Sequence, residues 1–479
     1  MRDGNVYRCG PFELDADTRR LFRDSRPVWI PDRQMDVLLA LVSHPGQILT
    51  KRELTDAAWR DLSVTDNSIV QAVHGPRETL GSQPDGRPYI KTHMRKGYQF
   101  IAPVQRGQSP ASLVALDAVV APHLALGDSR AALETLSLDA IRGARPKYAE
   151  IVRAVPGNAR GYVGMATADV LLFESTRADG APDVAALQRS HHTALEACHR
   201  NPKSGAAWRT LAFVLHRLGH TRDAVAAAST ALTLDEDDWL HWLHLSYVTW
   251  GSERLHASNR VLALCPDIAQ ARWFAGTVYV ARQTFDPAIT HLRAGCAAQD
   301  AQHTGSGRFP AVGLHYLLGL VLGACGAWDE AFDEWARELT FEDYGHIYAR
   351  ETCANTWYAI GALRRRQGRL EVAEAGFHEA LKRMPDHMLA NIGLQALSTS
   401  PGVYAICDDA NPVDVAMAKA AVFAVNGQHA QAAQALGEAI LRAEPGSAGW
   451  LLPVDPLIDV TSHPEAWAQT LGILRNRAL

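Results

Sequence analysis

The sequence lacks several features that would place it in common protein classes. Its seven cysteines are odd in number and scattered, and no two form a Cys-x-x-Cys pair, so no disulfide framework is indicated. The first ten residues, MRDGNVYRCG, have no apolar core of the kind that a signal peptide needs. The best membrane candidate, residues 314–328, is shorter than the ~20 residues that cross a bilayer. We therefore expect a cytoplasmic protein that is not membrane-bound and keeps its cysteines as buried thiols.

Motifs of catalytic and metal sites are also missing. The chain has no Gly-rich phosphate loop, no nucleophile elbow and no paired-carboxylate motif. The histidines and cysteine of residues 191–199 do not converge at helical spacing, so they are not expected to hold a metal. The acidic run DEDD at 235–238 is expected to be a solvated turn. These patterns predict no enzyme activity, no cofactor and no metal ion.

Positive charge is concentrated near the N-terminus, although the net charge of the chain is −5. Residues 1–106 carry 16 Lys and Arg against 13 Asp and Glu, whereas the remainder carries 31 against 39. Within the first part, residues 67–106 hold six basic side chains and only two acidic ones. Such a separation of charge favours a polyanionic partner at one end of the molecule only.

The first hundred residues predict a small α+β unit. Short strand-like runs before residue 30 suggest an antiparallel sheet, and helical periodicity begins after Asp32, the expected N-cap. A second helix begins at Thr50, forms a capping box with Glu53 and runs to about Trp59. A third helix follows, and residues 88–103 then contain two strand-like runs joined by a tight basic turn.

Three segments carry a resemblance to a known family: LTKRELTDAAW (49–59), VTDNSIVQAV…R…L (64–80) and PYIKT…RKGYQF (88–100). In order and spacing they resemble the OmpR/ToxR-type winged-helix DNA-binding domain, in the branch of ToxR, CadC and HilA. The resemblance implies that the third helix enters the major groove of promoter DNA and that the hairpin touches the minor groove and backbone. The DNA-contacting residues implied are Thr50, Lys51, Arg52, Asn67, Ser68, Gln71, His74, Arg77, Lys91, Thr92, Arg95 and Lys96.

The residue types suit these roles. The amides of Asn67 and Gln71 can pair with adenine edges, and Arg77 can pair with guanine. Arg95 and Lys96 at the hairpin tip supply positive charge for phosphates or a narrow minor groove. For any single residue, the alternative remains a solvated polar side chain on a small domain.

The sequence departs from the family pattern at Gly75-Pro76. The family usually has a long polar residue and then a bulky apolar residue at these positions. Proline inside a helix removes a hydrogen bond and clashes with the preceding turn, at a cost of about 3 kcal/mol. We therefore expect a kink near Gly75, which keeps the N-terminal reading face intact but leaves the direction of Arg77 open.

Beyond a polar linker at 107–112, an internal repeat emerges. It resembles the tetratricopeptide repeat, and it predicts an all-α superhelix of seven to ten helical pairs over residues 113–479. The fold class is thus mainly α: an N-terminal winged helix-turn-helix domain over 1–106, followed by the repeats. Trp239, Trp242 and Trp250 lie outside the repeat's packing positions, where a pocket wall is an alternative to packing. The clearest copies are Trp357, Ile360, Gly361, Ala373, Phe377, Ala380 and Pro385; Trp208, Leu211, Ala212, Leu215, Ala224, Ala228 and Ala231; Leu318, Gly319, Leu322, Ala331 and Trp335; and Ala420, Phe423, Ala432, Leu436 and Ala439.

Two functions follow from this layout. The first is a bacterial transcriptional regulator that binds promoter DNA, with a homodimer on DNA as a further expectation. Its repeats would receive a protein, peptide or small effector on their concave face. The layout is that of HilA-type regulators, which implies activation of virulence genes. The second is a repeat scaffold or adaptor whose winged helix has lost specific DNA binding.

Overall fold

The computed structural model describes residues 6–16, 19–24, 26–59, 66–107, 126–303, 309–398, 411–444 and 446–479. It contains a mixed α/β region over residues 6–107, called the winged-helix region below, and a helical region over residues 126–479, called the repeat region. The expected linker at 107–112 lies, beyond Gly107, outside the described residues. The division into residues 1–106 and 113–479 stays a prediction.

Two antiparallel sheets form in the winged-helix region. The predicted N-terminal sheet is confirmed, and a strand after the hairpin joins it, giving the order β4-β3-β2-β1-β8. The second sheet has the order β5-β7-β6 and contains the predicted hairpin. The strands are β1 Val6–Cys9, β2 Phe12–Asp15, β3 Arg20–Arg23, β4 Arg26–Val28, β5 Ile48–Leu49, β6 Ile90–His93, β7 Gly97–Phe100 and β8 Gln105–Gly107.

Three helices pack between these sheets, as the periodicity predicts: α1 Asp32–Ser43, α2 Lys51–Trp59 and α3 Asp66–Leu80. Their apolar faces bury Leu38, Leu54 and Val73 in one core with Phe100 of β7. The prediction of an N-cap at Asp32 is wrong by one residue, since α1 begins at Asp32 and is preceded by Pro31.

The Gly75-Pro76 pair does not interrupt α3, which runs through it to Leu80. A Cβ atom at position 75 would lie 1.9 Å from the Gln34 side-chain oxygen, so glycine allows α1 to approach closely. The next residue, Pro76, is buried. The unusual pair therefore serves helix packing, and the helix ends where Gly81 adopts a left-handed φ of +66°.

The repeat region consists of helices joined by short connections, which place successive helices antiparallel. Seven consecutive pairs of helices pack closely among the described residues: α6/α7, α8/α9, α10/α11, α12/α13, α14/α15, α16/α17 and α19/α20. The helices are α4 over residues 126–134, α5 Leu138–Ala154, α6 Ala159–Thr176, α7 Val184–Arg200, α8 Gly205–Arg217, α9 Thr221–Leu234, α10 Trp239–Val248, α11 Gly251–Leu264, α12 Ala269–Ala281, α13 Phe285–His303, α14 Leu314–Ala324, α15 Trp328–Leu339, α16 Ala349–Arg366, α17 Leu370–Arg383, α18 Met388–Gln395, α19 Pro412–Val425, α20 His429–Arg442 and α21 Pro464–Ala478.

The small residues of the repeat pattern lie where helices approach each other. A Cβ at Gly319 of α14 would be 2.3 Å from the indole nitrogen of Trp335 on α15. At Gly361 of α16 it would be 2.9 Å from the ring of Phe377 on α17. The residues predicted as the third and first copies thus pack as the tetratricopeptide pattern requires. In the part of the chain that the structure describes, no helix is both long and apolar enough to span a bilayer, and α14 is 11 residues long.

The two regions pack against each other. The apolar core of the winged-helix region continues into Trp239, Leu243 and Val261 of the repeat region. At the edge of this contact, Arg160 of α6 donates to Asp32 of α1 at 2.7 Å. Although burial favours the neutral acid, the charges of Arg160 and the nearby Arg19 lower the pKa of Asp32 well below its ordinary range. The contact therefore combines an apolar centre with an ion pair between regions.

Candidate nucleic-acid interface

Three elements that the sequence predicts to contact DNA meet on one side of the winged-helix region. The predicted capping box is confirmed: the Thr50 amide donates to Glu53 at 2.8 Å, which fixes the start of α2. The hairpin packs against that start, since a Cβ at Gly97 would lie 2.0 Å from the Leu49 carbonyl oxygen. On the other side of the hairpin, Arg77 of α3 donates to the Thr92 hydroxyl at 2.6 Å.

Exposed cations dominate this surface, which we call the basic face. It comprises the start of α2, the outer side of α3 and the β6–β7 hairpin. Lys91, Arg95 and Lys96 of the hairpin and Lys51 and Arg52 of α2 are all exposed. No carboxylate among the described residues pairs with Arg52 or with the three hairpin cations. Unpaired cations clustered on one face are suited to bind phosphates.

The hairpin holds its cations in a defined geometry. The His93 ring contacts the Gln99 side-chain oxygen at 2.6 Å, and the Gln99 amide donates to the Gly46 carbonyl at 2.6 Å. These bonds join the two strands to the turn before β5. Arg95 at the tip adopts a left-handed φ of +62°, and the neighbouring Met94 is 87% exposed. The sequence analysis did not single out Met94, because its exposure at the hairpin tip is visible only in the structure.

Helix α3 presents part of the predicted reading face to solvent. Gln71 and His74 are exposed, and so is the apolar Val70 at 45%, which the sequence reasoning also missed. An exposed apolar side chain there could contact a thymine methyl group. Ser68 is different: it is buried, and its hydroxyl donates to the Leu264 carbonyl at 3.3 Å. The side chain of Asn67 lies outside the described residues.

Arg77 points toward the hairpin rather than away from the molecule. Its guanidinium donates to the Ile90 carbonyl at 3.2 Å as well as to Thr92, and it lies 5.5 Å from the ring centre of Tyr98. The structure thus answers the question that Gly75-Pro76 raised about its direction. Arg77 braces the hairpin against α3, and this position differs from that of a free guanine-reading side chain.

The acidic run at 235–238 forms a turn, as predicted, and Glu236 is exposed, but the prediction of a solvated tip is wrong for Asp238. Asp238 is buried, caps α10 by accepting from the Leu240 amide at 3.0 Å and lies 3.5 Å from Arg209. Burial, together with the charges of Asp238 and Asp237, raises the pKa of Asp235. The run lies at the contact with the winged-helix region, which sequence alone could not show.

A cluster on α13–α15 was also missed by sequence reasoning. One ligand atom each of Cys296, His315 and Glu334 lies within 4.8 Å of the others. His315 contacts Glu334 at 2.5 Å through Nδ1 and Asp300 at 3.3 Å through Nε2. Burial opposes its charge, but the hydrogen bond to Glu334 and the nearby carboxylates raise the pKa of His315. The arrangement matches an imidazolium held between two carboxylates.

Comparison with known proteins identifies the class of domain that forms the N-terminal part of the chain. Residues 25–100 match the family model described as "Transcriptional regulatory protein, C terminal". This part of the chain is an OmpR-type winged-helix domain, a DNA-binding domain of transcriptional regulators.

Two curated relatives share this domain. The chain is 28% identical over 100 residues to the transcriptional activator CadC of Escherichia coli, covering 21% of this chain and 20% of CadC. It is 33% identical over 91 residues to the transcriptional regulator HilA of Salmonella typhimurium, covering 19% of this chain and 16% of HilA. The chain thus spans a fifth or less of the length of these relatives.

Solved structures resemble each region separately. The DNA-binding domain of E. coli CadC is 26% identical and covers 22% of this chain and 100% of its own, with a TM-score of 0.20. A tetratricopeptide repeat protein from Parabacteroides merdae is 13% identical and covers 57% of this chain and 97% of its own, with a TM-score of 0.39. The assignment of the repeat region depends on the helix pairing and small-residue contacts described above.

Proposed function

We propose that this protein is a bacterial, cytoplasmic transcriptional regulator that binds promoter DNA through the basic face. The observation that carries the proposal is the set of exposed cations on the hairpin and at the start of α2, within an OmpR-type domain. In this proposal the repeat region receives a protein, peptide or small effector. Activation of virulence genes and pairing of two copies on DNA are finer proposals that rest on the likeness to HilA and the family.

In the proposed complex, α3 lies in the major groove, with Gln71 and His74 toward base edges. The hairpin residues Lys91, Arg95 and Lys96 contact the backbone or the adjacent minor groove. The start of α2 faces a phosphate, because its exposed Lys51 and Arg52 supply positive charge there. Arg77 contributes indirectly by holding the hairpin against α3.

A selection from a randomised duplex library tests the proposal with the full-length protein. Enriched sequences are then compared with random duplex by fluorescence anisotropy. We expect Gln71→Ala to lower the preference for the selected duplex about tenfold, since a bidentate base contact contributes about 1–3 kcal/mol. Gln431→Ala, an exposed glutamine on α20, should leave it unchanged. An unchanged preference in Gln71→Ala would contradict the assigned reading face.

The competing function is a scaffold whose winged helix no longer reads DNA. The burial of Ser68 against Leu264 favours it, because this residue of α3 then contacts protein instead of solvent. In the regulator proposal, the contact between Ser68 and Leu264 must break before α3 can bind DNA. If neither the wild type nor a variant with the two regions separated enriches any sequence, the scaffold function is supported and the regulator proposal fails.

A further inference from the structure

One large cavity lies between the two regions. Its volume is about 800 Å³, within the roughly 300–1,000 Å³ of small-molecule sites. The first helices of six successive pairs line it, from α6 to α16, while Asp32, Arg33 and Ala58 come from the winged-helix region. Because the winged-helix region lies across this inner face, the space suits a compact molecule better than an extended peptide.

An aromatic wall runs along the cavity. Tyr247 of α10 packs edge-on against Phe213 at 5.0 Å and lies 5.8 Å from Phe274, between ring centres. Trp273 continues the wall, at 5.7 Å from Phe274 and 5.6 Å from Trp450. The three tryptophans suggested by the sequence are not in this wall; Trp239, for example, is fully buried. Such a surface favours a flat apolar body.

The charged lining is almost completely paired. Among the described residues it has seven arginines and five carboxylates, and each of these carboxylates accepts from or lies beside an arginine. A sixth arginine, Arg217, donates to the buried Glu174 at 2.6 Å. Burial lowers the pKa of His244 to about 3, so its imidazole adds no charge at neutral pH. The five pairs are Arg160–Asp32, Arg19–Asp36, Arg130–Glu134, Arg209–Asp238 and Arg177–Glu351.

Arg33 is the seventh arginine, and no carboxylate among the described residues forms an ion pair with it. Burial raises the pKa of the nearby Asp238, but the charges around it, those of Arg33 and Arg209 included, lower it. Its side chain is buried, with 3% exposed, and one guanidinium nitrogen donates to the Ala58 carbonyl. The other, Nη2, is buried without a hydrogen-bond partner in the part of the chain that the structure describes. A buried cationic N–H without an acceptor is costly, and the described residues supply none for Nη2, so this group favours a ligand that carries an acceptor.

We infer that the cavity binds an organic anion, with an aromatic or similarly flat body on the wall and a carboxylate, sulfonate or phosphate group on Arg33. The Tyr247 hydroxyl and the Gln270 side-chain oxygen, both buried without partners among the described residues, offer further polar contacts. The inference rests on the proposed sensing role of the repeat region and gives its effector a chemical class. Because Arg33 belongs to the winged-helix region, such a ligand touches both regions at once.

Two matched fluorescent probes test this inference on the full-length protein without DNA. Anilinonaphthalene sulfonate carries an anionic group, whereas phenylnaphthylamine has the same rings without it. We expect saturable binding of one sulfonate probe per chain, and about tenfold weaker binding in Arg33→Gln, because the substitution removes a charge-assisted hydrogen bond. Phenylnaphthylamine should bind the wild type and Arg33→Gln alike, which also shows that the variant retains its cavity.

Two further variants complete the test. Arg222→Gln, an exposed arginine on α9, should bind both probes as the wild type does, whereas Phe274→Ala should weaken both. Equal weakening of both probes in Arg33→Gln, or unchanged binding of the sulfonate probe, would overturn the anionic class. Binding that does not saturate, or that is unchanged by Phe274→Ala, would overturn the assignment of the cavity as the binding site. None of these outcomes depends on DNA binding, so the regulator proposal can fail or hold separately.

Discussion

Gly97 shows how a single residue sets the position of the hairpin. Its φ of +136° is in the region that favours glycine, and a Cβ would lie 2.0 Å from the backbone oxygen of Leu49. The neighbouring atom is backbone, which cannot rotate away as a side chain can. The approach of the hairpin to the start of α2 therefore depends on the absence of a side chain here.

We expect Gly97→Ala to lower the free energy of unfolding by about 3 kcal/mol or more, because strain and a backbone clash combine. Gly81→Ala is the control: its φ is also positive, but a Cβ there meets nothing within 4 Å, so we expect about 1 kcal/mol. Urea denaturation measures both. Equal destabilisation in the two variants would show that the contact with Leu49 does not constrain the hairpin.

Residue types alone predicted part of the candidate site. The capping box was predicted correctly from Glu53 three residues after Thr50, because both partners of that motif are close in sequence. The role of Gly75 could not be predicted, since it depends on Gln34 of another helix. The directions of Ser68 and Arg77 also depend on partners distant in sequence, Leu264 and the hairpin, which the periodicity of α3 does not encode.

At the scale of elements, His315 joins α13, α14 and α15. Its pKa is raised in the folded protein, so its charged contacts contribute stability that is fully present below its unfolded pKa. That contribution disappears as the pH rises through the folded pKa. Pattern reasoning missed this cluster because side chains from three successive helices form it. It also missed the burial of Asp238, because that depends on contacts such as the one with Arg209 of α8. The helices themselves were predictable from their spacing of small and large residues.

We expect the stability difference between wild type and His315→Gln to be larger at pH 6 than at pH 9, by about 1 kcal/mol or more. Denaturation at several pH values measures it. Gln431→Ala, at an exposed glutamine of α20 that carries no titratable group, should show a difference that does not depend on pH. A constant difference for His315→Gln would mean that its ring is not charged in the folded protein.

At the scale of the whole molecule, the contact between the two regions is the least predictable feature. It joins Asp32 to Arg160 and Ser68 to Leu264, pairs that are more than a hundred residues apart. No local pattern encodes such a contact, nor the cavity that it encloses. The contact buries Ser68 of α3 against Leu264, so it opposes DNA binding in the proposed function.

Arg160→Glu should separate the regions, since it places two negative charges together. If the contact competes with DNA, the variant binds a selected duplex several-fold more tightly, because a larger fraction of molecules is competent to bind. Arg153→Glu on α5 makes the same change of charge at an exposed site and should not raise affinity. Equal affinities for the two variants, measured by anisotropy, would exclude competition between the repeat region and DNA.

The salt dependence of DNA binding tests the central claim, that the basic face holds the phosphate backbone. The measurement compares full-length wild type with Arg95→Ala/Lys96→Ala and with Arg20→Ala/Arg23→Ala, two exposed arginines of β3. We predict that the slope of log K against log salt becomes shallower by about one for each phosphate that the hairpin variant no longer neutralises. The β3 variant should keep the wild-type slope. Identical slopes in all three proteins would contradict the account.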